Sequence, residues 1–116
     1  MPVGNDARLI RKSPFSNSTH SWYTILVKAF AWNNEKNQLI KAERDVSFEE
    51  VVVHIAAGGL LDIVEHPNPE KYERQRMFIV RMREYAWLVP FIETGDEIFL
   101  KTIIPSRKAT KKYLGG

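Results

Sequence analysis

The chain of 116 residues, 44% hydrophobic and 11% aromatic, has the size of one globular domain and leaves no room for separate cofactor and substrate halves. It contains no cysteine, which excludes disulfide scaffolds, thiolate metal sites and cysteine nucleophiles and is compatible with a reducing cytoplasm; no run approaches the roughly 20 apolar residues that cross a bilayer. The net charge of +3 is divided unevenly: residues 27–97 carry nine basic and thirteen acidic side chains, whereas residues 98–116 carry Lys101, Arg107, Lys108, Lys111 and Lys112 and no acid.

A basic cluster of this kind favours a polyanion or an acidic partner through its summed field and counterion release. The plain alternative is a solvated tail. Residues 1–22 mix Asn, Ser, Pro, Gly and basic residues with no periodicity and read as a loose leader without a signal peptide's apolar segment. An apolar run, Trp22 to Ala31, suits a first strand. Asn33 is placed to cap a helix running to Arg44, whose apolar stripe is only Leu39, Ile40 and Ala42. Ser47-Phe48-Glu49-Glu50 fits a capping box, with Val46 and Val51 at staple positions and Gly58-Gly59 as the stop. Strands are expected at 60–65, 77–83, 86–92 and 97–104. Thr94-Gly95-Asp96 is a good hairpin loop and Arg83-Glu84-Tyr85 a weaker one. Pro90 cannot donate to a ladder, so its strand is bulged or meets an edge there. Pro105 stops the last strand, and Ser106 is placed to cap a basic helix from Arg107 to Tyr113. Helices followed by a run of strands point to an α+β fold with two helices on one sheet face.

His20, His54 and His66 fall in different elements with no partner one helical turn away, so neither a metal nor another cofactor is expected. His66, before Pro67 at a strand end, stands where functional groups are displayed. There is no Gly-rich phosphate cradle and no nucleophile elbow. What remains is basic: Lys101, Arg107 and Lys108 near the last strand, and Arg74, Arg76, Arg81 and Arg83 around the first strand of the meander, Arg81 and Arg83 sharing a face by period two. Tyr72, Tyr85, Trp87 and Tyr113 are interleaved with them and offer stacking surfaces for unpaired bases. Alone, this pattern supports polyanion binding and no particular reaction.

Two segments carry a resemblance. Phe30-x-Trp32-(x)3-Lys36 with Val46-Ser47-Phe48-Glu49-Glu50 downstream, and the closing Ile103-Ile104-Pro105-Ser106-Arg107-Lys108-Ala109 with its basic helix, are similar to the two ends of the BrnT toxin family. The likeness spans roughly Lys28 to Tyr113. It implies a RelE-like α+β fold over residues 27–116, with an N-terminal strand and two helices packed on a four- to five-stranded, mainly antiparallel sheet and a short C-terminal helix. Residues 1–26 would then be an extension outside the working fold. It also implies a cytoplasmic, metal-independent ribonuclease toxin of a type II toxin–antitoxin pair, acting on free or ribosome-bound RNA. Its expected partner is a small antitoxin of ribbon-helix-helix type, with toxins sitting as pairs inside the complex and no membrane involved.

On that expectation Arg107 holds the scissile phosphate, Lys101 and Arg76 share its charge, and His66 transfers the proton. Lys108, Lys111, Arg44, Lys36 and Tyr113 bind the RNA. The chain departs from the family where Glu43-Arg44-Asp45 replaces a common Lys-His-Gly; Arg44 keeps the cation but cannot shuttle protons near neutral pH. The second expectation is therefore a binding module without catalysis, either a ParE-like target inhibitor or a degenerate toxin that only engages its antitoxin.

Overall fold

The computed structural model describes residues 28–68, 70–71 and 75–115. The expected extension over 1–26, and the part of the expected first strand before Lys28, lie outside them. Strand β1 (Ala29–Trp32) sends Phe30 and Trp32 into the main core by simple alternation. Helix α1 (Asn34–Arg44) begins where Asn33 Oδ1 accepts the Lys36 amide at 2.8 Å, and it closes on Asp45 at φ 60°. Its apolar stripe is narrower than the sequence suggests: Ile40 is buried, but Leu39 is 57% exposed and Ala42 also faces solvent. A polar side chain, Asn37, is buried beside Ile40 instead.

Helix α2 (Phe48–Ala56) buries Phe48, Val51 and Ile55 at helical spacing. Ser47 Oγ accepts the Glu50 amide at 3.2 Å, and Val46 and Val51 are both buried. The reciprocal half of the expected capping box is absent. The Glu50 carboxylate accepts two bonds from the Arg83 guanidinium, both 2.9 Å, a charge-assisted bidentate pair that outcompetes a single backbone amide. The helix ends at Gly58 (φ +98°), and Gly59 packs so closely that a Cβ would lie 2.9 Å from the His54 carbonyl oxygen.

Strands β2 (Leu60–Glu65), β3 (Gln75–Met82), β4 (Tyr85–Glu93), β5 (Glu97–Leu100) and β6 (Ile104–Pro105) follow, and helix α3 (Arg107–Leu114) ends the described chain. The sheet order is β1-β5-β4-β3-β2, with β6 also on β4. Only the β1–β5 pairing is parallel. Among the described residues the molecule is thus α+β with three helices and a mixed sheet, one strand larger than the expected four to five.

The expected strand over 97–104 is split in two, and Pro90 is the reason. Alternation along β4 turns residues 88, 90 and 92 toward β5 and β6. The Pro90 carbonyl accepts the Lys101 amide at 2.8 Å, but proline has no N–H to return, so the ladder lapses between Leu100 and Ile104. The β3–β4 turn, Arg83-Glu84, is tight and places both residues at positive φ, 56° and 65°. Arg83 therefore leaves the strand period and turns to Glu50 and Asp45, while Arg81 pairs with Glu84; both border one pocket beside Gly58 and Gly59.

One sheet face carries α1 and α2 over a core that includes Phe48, Phe78, Val80, Val89, Phe91 and Ile98. Phe78 and Phe91 stack there at 3.9 Å. The second face carries only α3, over Ile79 and Ala86 with Leu61, Val64 and Leu88 packed alongside. Among the described residues, no helix is long and apolar enough to cross a membrane.

Candidate nucleic-acid interface

Helix α3 is the element that shapes the second face. Ser106 Oγ accepts the Ala109 amide at 3.0 Å, and the Ser106 amide itself donates to the Ala86 carbonyl at 3.0 Å. Thr110 Oγ1 accepts the Ala86 amide at 2.9 Å, so the first turn is bolted to β4. The far end is held by the Tyr113 hydroxyl, which donates to Asp62 at 2.6 Å. Asp62 also caps the amide of Ile63 at 2.8 Å. Strand β2 is an edge of the sheet, and alternation turns that amide outward, so the carboxylate blunts the edge as well as clamping the helix.

Ala109, Thr110, Tyr113 and Leu114 thus form the inward side of α3. At 100° per residue the four cations separate into two pairs. Lys108 and Lys112 stand one turn apart on one flank, and Arg107 and Lys111 on the other. The Lys108–Lys112 flank walls a groove of about 390 Å³ whose floor is Val64, Met77, Ile79 and Leu88, with Glu65 and Pro67 on the β2 side. The Lys112 ammonium lies 5.2 Å from the centre of the Tyr113 ring. Hydrogen bonding to Asp62 and burial push the Tyr113 hydroxyl up to about 12, so this phenol is a fixed donor and not a proton acceptor near neutrality.

Lys101 belongs to the same face. Its ammonium stands 5.9 Å from the Phe99 ring centre, and Phe99 alternates with the core residues Ile98 and Leu100. Lys101 is bonded to Pro90, which is in register with Met77 on the groove floor. Two strand spacings, about 10 Å, separate their backbones. The half of the second face that α3 leaves open is therefore bordered by Lys101 on one side and by Lys108 and Lys112 on another.

The remaining expected site residues do not gather there. Arg76 alternates with Phe78 and Val80 and so lies on the opposite, helix-covered face. It stands 3.9 Å from both Glu65 and Glu93, and Lys28 contacts Glu93 at 2.6 Å. This is a structural ion-pair chain across the strand ends; the buried Arg76 Nη1 has no hydrogen-bond acceptor within it. Arg107 is exposed on the flank of α3 away from the groove. His66 follows Glu65 beside Pro67, and its Nδ1 accepts the Asn68 amide at 3.1 Å inside the turn. Lys36 is exposed on α1, while Arg44 donates to the Ile103 carbonyl at 3.0 Å and secures the loop between β5 and β6. Trp87 is buried, its indole N–H bonded to the Met82 carbonyl at 3.1 Å, so it offers no stacking surface. Tyr85 packs against the main core, edge-on to Trp87. Tyr72 and Arg74 lie outside the described residues.

One group takes on weight that the sequence reading did not assign it. Lys112 shares the groove with Lys108 because they are four residues apart; a helical wheel of 107–114 carries that signal. Glu65 stands at the rim of the groove, but it is in register with Arg76 and turns its carboxylate to that guanidinium, 3.9 Å away. Among the described residues, no three His, Asp or Glu side chains converge where a cation would be held. No family model, curated protein or solved structure matches the chain.

Proposed function

We propose that this chain is a cytoplasmic, RelE-like ribonuclease toxin of a type II toxin–antitoxin pair, and that it grips RNA phosphates across the open half of the second sheet face. The observation that carries the reading is the placement of Lys108 and Lys112 on one flank of α3 beside the groove, with Lys101 next to Phe99 on the same sheet face, in a segment with no acidic side chain from residue 98 onward. Attack of a ribose 2′-hydroxyl on the adjacent phosphate builds negative charge, which pre-placed ammonium groups stabilise. The 2′-hydroxyl proton passes to solvent. The 2′-oxygen–phosphorus bond forms, the bond to the 5′-oxygen breaks, and that oxygen takes a proton from solvent.

Induced expression should arrest growth and fragment cellular RNA. Lys108→Ala/Lys112→Ala should abolish both, whereas Arg107→Ala/Lys111→Ala on the other flank should retain both. Arrest with intact RNA, or equal loss in the two double variants, contradicts the assignment.

One observation favours the second reading, a binding module that engages its antitoxin without cutting RNA. No imidazole lines the groove, and the Nδ1 of nearby His66 is committed to the Asn68 amide. Purified protein that leaves RNA uncut, with and without ribosomes, yet binds its partner tightly would select this reading.

A further inference from the structure

Among the described residues, Phe99 is the one aromatic side chain that belongs to neither hydrophobic cluster. The others pack into the main core, apart from Tyr113, which lies under α3 with its hydroxyl held by Asp62. Strand alternation explains the exception. Ile98 and Leu100 fill the core, so Phe99 between them is turned to the second face. Its neighbours in register are Ala31 on β1 and Ile92 on β4. A methyl group on the β1 side covers little of a phenyl ring, and Phe99 is only half-buried. Such a ring forgoes part of the free energy that full burial supplies, and a ligand laid on it recovers that part. Lys101 follows on the same face, exposed, with its ammonium 5.9 Å from the ring centre. At an exposed site this contact is weak, so a flat ligand displaces the ammonium from the ring and offers it a negative charge instead. A flat π-system joined to an anion is what an unpaired nucleotide presents: the base stacks on the aromatic ring and the phosphate takes the lysine. We infer that Phe99 is the stacking platform for an unpaired base, with Lys101 on the adjoining phosphate, and that the RNA bound here is single-stranded. A duplex keeps its base faces inside its own stack and offers the ring nothing. The inference rests on the RNA reading above and adds to it the class of RNA.

The test is fluorescence polarisation of the full chain with labelled RNA oligonucleotides of one length: a single strand, the same strand with abasic sites through its central positions, and a duplex. The abasic strand keeps every phosphate and loses only bases, so it separates stacking from phosphate grip. The wild type should bind the intact strand about tenfold more tightly than the abasic one, a comparison that needs no variant to fold. Phe99→Leu, which keeps an apolar side chain in the sheet, should remove that difference and leave duplex affinity unchanged, whereas Phe99→Trp should retain it. Lys101→Ala should weaken the intact and abasic strands alike. Equal affinity of the wild type for those two strands, or a difference that survives in Phe99→Leu, overturns the inference and leaves the phosphate grip standing. Failure to bind any of the oligonucleotides removes the RNA reading and the platform with it. Selective binding of the intact strand without cleavage would sink the ribonuclease activity alone and support the platform.

Discussion

Two side chains decide more than their size suggests, and both are polar. Asn37, 1% exposed, accepts the Phe48 amide and donates to Glu49, both at 2.8 Å, and so joins α1 to the first turn of α2. Asn37→Ala leaves a buried amide without an acceptor and should cost about 1–3 kcal/mol by denaturant unfolding. The bond from Asn37 is also the main cause that holds the Glu49 carboxyl below its ordinary value. A depressed carboxyl stabilises the fold above its unfolded-state pKa, and that contribution is lost as pH falls through the folded one. Wild type should therefore lose stability on the acid side, from roughly pH 5 downward, and Asn37→Ala should lose less there; parallel acid profiles would contradict the linkage. Tyr113 has the opposite sign. Its hydroxyl is raised to about 12 by Asp62, so its contribution is intact below about pH 10 and fades as pH rises toward 12. Spectrophotometric titration should show one of the four tyrosines ionising late, and Tyr113→Phe should delete that late component.

At the level of elements, local chemistry made most of the fold legible in advance. Asn33, Ser47 and Ser106 each cap the helix they were expected to start, because a cap is a short-range hydrogen bond readable within four residues. Failures arose where a distant group intervened. Glu50 turns to Arg83 and not back to its own helix, and Pro90, visible as a ladder breaker, splits a strand on its neighbour that looked continuous. The Arg83-Glu84 turn is the other exception, since two non-glycine residues at positive φ are not announced by composition. Glu84 is largely exposed, and its pairing with Arg81 contributes little. Glu84→Gly should accordingly relieve left-handed strain and stabilise the fold by about 0.5–1 kcal/mol, a few degrees in Tm. A fall in Tm would show that the ion pair outweighs the strain.

Across the whole molecule, a sheet with two unlike faces sorts the cations. The charge count along the sequence located the basic segment correctly but could not say which face each cation would occupy, since that depends on strand parity and helical phase together. Arg76 falls on the helix-covered face among carboxylates, Lys36 and Arg44 belong to α1, and α3 turns Arg107 away from the groove. Lys101, Lys108 and Lys112 are what remains around the open half of the second face. The most direct test of that partition is the salt dependence of binding to a single-stranded RNA oligonucleotide. Each phosphate contact contributes a slope of about −0.7 in log K against log salt. Lys108→Ala/Lys112→Ala should weaken binding and reduce the slope by about 1.4, while Lys36→Ala, on the opposite face, should change neither. An unchanged slope in the α3 variant, or an equal loss in the α1 variant, would contradict the account.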